Sequence, residues 1–498
     1  METRPLSPGG TPPTEFKREL RLLDSTMIVI GSMIGSGIFI VSADIARTVG
    51  SPGHLLLVWL ITGIVTVIGA LSYGELAGMM PHAGGQYVYL REAYNPLVGF
   101  LYGWTFFLVI QAGTIAAVAV AFAKFTAVVI PSIRQTAFTL PLLGLNVTNA
   151  QLLAIVSILL LTFVNTRGIH GGKLVQDTFT LAKTAALIGL ILLGILIGQN
   201  PSAIAANLAA FWNATWTHVS DGIIVSVEQL SGLALFAAIG AAMVGSLFSS
   251  DAWNNITFTA GEVVNPKRTI PLSLVLGTGT VTFLYLLANI AYILMLPVAG
   301  SPAAQDVVGR GIQFAADDRV GTAAAAVLFG EPGVLIMALL IMVSTFGCNN
   351  GLILAGARVT YAMAKDGLFF RKTGMLNAKA VPGVALWVQA VWASLLCLSG
   401  TYGDLLDYVM VSVLIFYILT VAGIFILRTR KPEAERPYKA WGYPAVPAIY
   451  IVVAAAIALD LLVLKPTYTL TGVGIVVVGI PVFYIWTRFV RRMTQSAE

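Results

Sequence analysis

The sequence predicts an all-helical chain that crosses a membrane twelve times, and three observations predict it. Of its 498 residues, 57% are apolar and only 10% are charged, with mean hydropathy +0.86, whereas a soluble domain carries about a quarter charged residues. Apolar runs near the length a bilayer demands, roughly 20 residues per helix, recur from one end of the chain to the other. The first and sixth of them carry matching clusters of Gly and Ser, as expected of two five-helix repeats followed by two further helices.

In chain order, residues 1–21 are a polar, Pro-rich tail with no cleavable-signal pattern, so the first span is expected to stay. The first repeat, 22–198, comprises spans at Leu22 to Thr48, His54 to Met80, Leu97 to Ile130, Gln151 to Val164 and Leu174 to Gly198. Residues 199–231 form an external loop. The second repeat, 232–427, comprises spans at Gly232 to Thr259, Leu272 to Leu296, Gly333 to Ala364, Val384 to Ser399 and Tyr402 to Leu427. A basic loop, 428–445, precedes the last two spans, Val446 to Leu464 and Leu470 to Val490, and residues 491–498 are a tail. Basic residues are retained on the cytoplasmic side. All but seven of the 29 Lys and Arg fall inside if both termini are cytoplasmic; the exceptions are Arg47, Lys124, Arg134, Arg310, Arg319, Lys465 and Lys183. The net charge of +6 therefore reports topology and not nucleic-acid binding.

Span one contains Gly31-Ser32-Met33-Ile34-Gly35-Ser36-Gly37, and span six contains Gly245-Ser246-Leu247-Phe248-Ser249-Ser250-Asp251. Each Gly weakens a helix by about 1 kcal/mol relative to Ala, and Ser offers competing local hydrogen bonds. Either cluster alone would suit close helix packing. Both together, in matching repeat positions and one with an embedded Asp, predict helix breaks that line a substrate site. N–H groups at Ser36 and Gly37, at the positive end of a half-helix, suit a carboxylate. Carbonyls around Met33, Phe248, Ser249 and Asp251 suit an ammonium. The combination describes a site for an α-amino acid.

Lys183 lies near the centre of span five, where a Lys costs about 3 kcal/mol to insert. Gln176, Thr180 and Lys183 share one helical face, so the charge points into the bundle, either as a tether for broken-helix carbonyls or as a group that titrates during transport. Asp251 is either a structural group that pairs with neighbours around the break or caps the second half of span six, or an acid that selects substrates with a second cationic group. Glu75 and Glu262 read as ion-pair members near helix ends. Cys348 and Cys397 read as small buried residues. No metal-ligand spacing, phosphate loop or nucleophile elbow is present in the sequence, so no cofactor and no enzymatic chemistry is expected. Termini and loops are too short for the output domain a sensor would need.

These stretches, with Tyr73-Gly74-Glu75-Leu76, the run Pro81 to Tyr89, Gly261-Glu262 with Asn265-Pro266-Lys267, Ala357-Arg358 leading to Lys365-Asp366-Gly367, and Arg436-Pro437-Tyr438-Lys439, resemble the amino acid-polyamine-organocation superfamily and, within it, the L-amino-acid transporter family. The resemblance implies a leucine-transporter-like fold with inverted repeats. It implies α-amino and α-carboxyl recognition at Met33, Gly35, Ser36, Gly37, Phe248, Ser249 and Asp251, with Phe248 as an aromatic gate and the Tyr285 hydroxyl linking the site to the bundle. In similar transporters a Lys at the place of Lys183 fills the region that sodium uses elsewhere, which implies sodium-independent transport, either exchange of neutral amino acids or proton-coupled or facilitated uptake. Animal members are disulfide-linked to a heavy subunit through a cysteine between spans three and four. Residues 131–150 contain none, so a stand-alone prokaryotic member of an inner membrane is expected.

Overall fold

The computed structural model describes residues 15–140, 145–220, 222–398 and 402–495. Most of the N-terminal tail, with Arg4, and the last residues of the C-terminal tail lie outside them, as does Ser399, the expected end of span nine.

Span one is two helices, α1 (Leu22–Met33) and α2 (Gly37–Val49), bent by 40°. Left-handed Gly50 closes α2, and Ser51-Pro52 starts α3 (Pro52–Met79), because Pro at the first helical position forfeits no hydrogen bond. A short α4 (Gln86–Ala93) follows. It is positioned by Gly84 and Gly85, whose φ values of 101° and 44° are open to Gly without strain and let the chain pass against Thr257 and Phe258. Asn95 caps α5 (Pro96–Thr105), which joins α6 (Gln111–Val129) through one π-helical turn at Phe106–Ile110. Sequence patterning gives no sign of that turn within span three.

The first repeat ends with α7 (Asn149–Thr166), opened by a Thr148–Gln151 capping box, and α8 (Ile169–Leu196). Between α6 and α7 lies a hairpin, β1 (Thr136–Leu140) with β2 (Leu145–Thr148). The expected 199–231 loop is ordered as α9 (Pro201–Ala209) and a second hairpin, β3 (Thr215–Ser220) with β4 (Ile223–Gln229).

Span six is α10 (Gly232–Ser249), a non-helical stretch at 250–254, and α11 (Asn255–Phe258). Then come α12 (Pro266–Met295), the shorter helices α13 (Val307–Arg310) and α14 (Val320–Phe329), and the 35-residue α15 (Glu331–Lys365). The remaining spans are α16 (Gly383–Leu396), α17 (Tyr402–Arg430), α18 (Ala445–Leu464) and α19 (Pro466–Gln495). Eleven of the twelve expected spans are long enough to cross a bilayer, and the ninth is shorter than expected. Among the described residues, ten helices are long and apolar enough to cross a bilayer singly, the α1–α2 pair makes an eleventh, and the 14-residue α16 stands at span nine.

α12 lies along α3 and α1, α15 along α6 and α8, and α10 against α2, so the two broken spans meet at the centre. Val156, Leu160 and Phe163 of α7, Leu181 and Leu192 of α8, and Val478 and Ile485 of α19 are exposed, which water would penalise and lipid does not. The molecule is a multi-pass membrane protein with the leucine-transporter-like arrangement.

Candidate functional site

At the first break the helix stops at Met33, with Ile34 extended (φ −74°, ψ 93°), and restarts at Gly37. At the second, Ala252 adopts left-handed φ of 63°, a conformation that costs an ordinary L-residue about 1–2 kcal/mol. The breaks touch: a Cβ on Gly37 would collide with the side chain of Ser249, so only Gly permits this approach.

The freed carbonyls are addressed one by one. Lys183, 1% exposed, donates to Gly31 O at 2.5 Å and Ile34 O at 2.6 Å, with Ser344 O at 3.5 Å, so three carbonyls from α1 and α15 match its three protons. Ser344 donates to Gly35 O at 3.1 Å and Cys348 to Ser32 O at 3.1 Å. The Tyr285 hydroxyl lies 3.0 Å from Met33 O and 3.1 Å from Ser249 O. It carries a single proton, so it satisfies one of those carbonyls at a time and leaves the other able to accept from a further donor.

Seven of the residues singled out in the sequence, Met33, Gly35, Ser36, Gly37, Phe248, Ser249 and Asp251, line one cavity between the breaks. Tyr285 and Lys183 are not in its wall and stand behind the carbonyls. The cavity has a volume of about 20 Å³, room for roughly one water and too little for an amino acid. A second cavity of the same size, lined by Gln86, Gln111, Asn254, Asn255 and Tyr417, shares Thr114, Asp251 and Ala252 with the first.

Asp251 does not cap α11. The N-cap there is Asn254, which makes no side-chain cap, and the left-handed turn at Ala252 separates Asp251 from the helix start. Asp251 accepts instead from the Tyr417 hydroxyl of α17 at 2.5 Å. No cation among the described residues pairs with it.

Sequence reading did not single out Thr114, Gln111, Asn254, Gln86, Tyr417, Ser344 or Cys348 as parts of the site. Gln111 and Thr114 had a legible signal, two polar residues one turn apart in an apolar span; both follow the π turn, a device frequent at functional sites. Asn254 donates to Gln86 at 3.0 Å, which no local pattern reveals.

Ion pairs gather at both ends of the helix bundle. On the face carrying the N-terminal segment, Glu262 and Arg358 form a buried pair at 2.9 Å. Glu75 holds Arg428 at 2.6 Å and Arg436 at 3.3 Å, and Arg91 meets Asp366. Glu92 pairs with Lys431 at 2.9 Å, which lowers its carboxyl pKa below the usual range. Glu19 N and Leu20 N donate to Glu262 O at 2.9 and 3.0 Å, and Phe16 packs edge-on against Tyr361 at 4.9 Å. On the far face Arg47 meets Asp318 at 2.7 Å, and Asp317 accepts from both Arg134 and Arg319.

Residues 20–487 match the amino acid permease family. The chain is 31% identical over 475 residues to the large neutral amino acids transporter small subunit 2 of Mus musculus, covering 94% of this chain and 81% of that protein. It is 29% identical to the Asc-type amino acid transporter 1 of Homo sapiens, covering 98% and 87%. The b(0,+)-type amino acid transporter 1 of Mus musculus is 27% identical, covering 91% and 85%.

Proposed function

Because the chain belongs to the amino acid permease family and is a transporter rather than an enzyme, we propose that it exchanges neutral L-amino acids across the membrane by alternating access, without sodium. The observation that carries this reading is a cavity between two facing helix breaks, walled by residues of both. The substrate carboxylate takes the first-turn N–H groups of α2 at Ser36 and Gly37, where the half-helix dipole is positive. Its ammonium takes carbonyls of Met33, Phe248 and Ser249, with the Tyr285 hydroxyl shifting its one proton between acceptors. Phe248 closes over the bound molecule. Substrate binding widens the cavity, and the two faces open in turn.

Lys183 reaches from α8 into a cluster of carbonyls from α1 and α15, where its ammonium stands in for a bound cation. That supports sodium independence and a fixed role. The runner-up, proton-coupled or facilitated uptake, rests on the same Lys: the carbonyls can be satisfied by other donors if it releases a proton. Asp251 is assigned a part in selectivity, since it borders both cavities without a cationic partner.

The relatives' names include a small subunit, a designation that belongs to those proteins. For this chain the cysteine-free 131–150 segment supports a stand-alone transporter of a prokaryotic inner membrane, with both termini cytoplasmic as the basic residues favour. The deciding experiment is radiolabelled amino-acid uptake into sodium-free proteoliposomes without a pH gradient. Uptake confined to vesicles preloaded with unlabelled amino acid supports exchange; equal uptake into empty vesicles rejects it in favour of net transport.

A further inference from the structure

Away from the translocation site, the far face gathers more positive charge than its carboxylates use. Arg47 at the end of α2, Lys124 of α6, Arg134 just after α6 and Arg319 just before α14 surround Asp317 and Asp318. The third acid, Asp44, is 64% exposed and meets Arg47 only at 3.6 Å. Four cations thus face three carboxylates, one of them mostly solvated.

The excess has a location. Arg319 is 8% exposed. One of its terminal nitrogens, Nη2, meets Asp317 at 3.1 Å, while Nε and Nη1 are buried with no acceptor among the described residues. Arg319 is also the N-cap of α14, and no side chain caps that ten-residue helix. Three residues on, Thr322 is 5% exposed, and its Oγ1 likewise has no partner among the described residues. N-cap and N3 are the two positions that reach each other across a helix start in a capping box. An ordinary box places an acceptor there for the orphan N–H groups. Here the two positions supply a guanidinium and a hydroxyl, both able to donate, beside N–H groups that are also donors.

Buried donors without acceptors are uncommon and are normally met by water or an ion. Water brings protons of its own into a site already crowded with them and leaves the charge excess in place, whereas an anion satisfies both. We propose that the first turn of α14, with Arg319 and Thr322, binds a small monovalent anion, either a halide or a carboxylate. α14 packs on α2, so the anion would join the contacts at the far face. This inference stands independently of the exchange reading, because it concerns a site outside the cavity between the helix breaks.

The test uses the purified full-length protein without amino acid. Thermal unfolding is followed while sodium chloride replaces sodium isethionate at constant ionic strength, and sodium acetate replaces isethionate in a parallel series. The wild type should gain melting temperature saturably with chloride, with acetate, or with both, and the pattern names the anion. Thr322→Val, nearly isosteric, and Arg319→Gln should each raise the half-saturating concentration by more than about tenfold, the worth of one charge-assisted hydrogen bond. A melting temperature indifferent to both anions overturns the proposal. So does a rise that never saturates, or one shared undiminished by both variants.

Discussion

Replacing Lys183 by Met keeps an unbranched, flexible side chain one atom shorter while removing its charge and its donor protons. The structure shows what is lost: a donor at 2.5 Å from Gly31 O and another at 2.6 Å from Ile34 O, with a marginal third to Ser344 O at 3.5 Å. Ser344 Oγ lies 3.3 Å from Ile34 O and 3.1 Å from Gly35 O, and its one proton serves either carbonyl but not both. Gly31 O loses its charged donor. A buried carbonyl left unsatisfied costs about 1–3 kcal/mol, and the bare Lys insertion cost of about 3 kcal/mol is relieved in the same step. Global stability should therefore change little. The geometry of the first break should suffer, since α1 no longer has a charge holding its end against α8. Losing 1–3 kcal/mol of preference for the binding-competent break lowers its population by about 5- to 150-fold. Exchange of labelled amino acid in sodium-free proteoliposomes should fall by that order, while the melting temperature stays within a few degrees of wild type. Exchange within twofold of wild type would refute the assignment of Lys183 to the break. A variant that no longer folds would refute the stability half of the argument.

Three other outcomes follow from the same geometry. Gly37→Val places a branched side chain into Ser249 and should abolish substrate protection against thermal unfolding while leaving the folded protein recoverable; retained protection would reject the site. Tyr285→Phe removes the hydroxyl between Met33 O and Ser249 O, about 1 kcal/mol, and should weaken amino-acid binding roughly fivefold by scintillation proximity. Arg358→Met strands the buried Glu262 carboxylate and should cost about 3–5 kcal/mol, read as a fall in melting temperature; Glu262→Gln combined with it should recover part of the loss.

The legible part of this protein is the part governed by the bilayer. Apolar length alone located α3, α10 and α15, because lipid forces every spanning backbone into helix. The breaks were legible for the same reason inverted: Gly31 to Gly37 and Gly245 to Ser249 put residues that weaken helices where lipid most demands them. Span starts at Pro266 and Pro466 lie earlier than expected because hydropathy weights polar first turns against inclusion, whereas Pro at the first position favours them. The connecting segments are governed by water and local turns, so the hairpin at Thr215–Gln229 left no signal comparable to a span. Within the site, Gly37 and Lys183 announce themselves as anomalies in their own helices. Gln86, Asn254 and Tyr417 do not, since their meeting depends on α4, span six and α17 converging across more than 300 residues of chain.

The docked N-terminal segment makes the chain its own reporter. Glu19 and Leu20 are hydrogen-bonded to Glu262 and Phe16 is wedged on Tyr361, so the tryptic bonds after Lys17 and Arg18 sit in backbone that a protease must peel away before it can cut. Peeling requires the segment ahead of α1 to part from the segment ahead of α12, so it follows any opening of this face that separates the two. Cleavage rate at these two residues therefore becomes a label-free clock of alternation, quickened by whatever opens the face and slowed by whatever holds it shut. Any extension fused ahead of Phe16 loads that clock, which makes the C-terminal end the better place for an affinity handle.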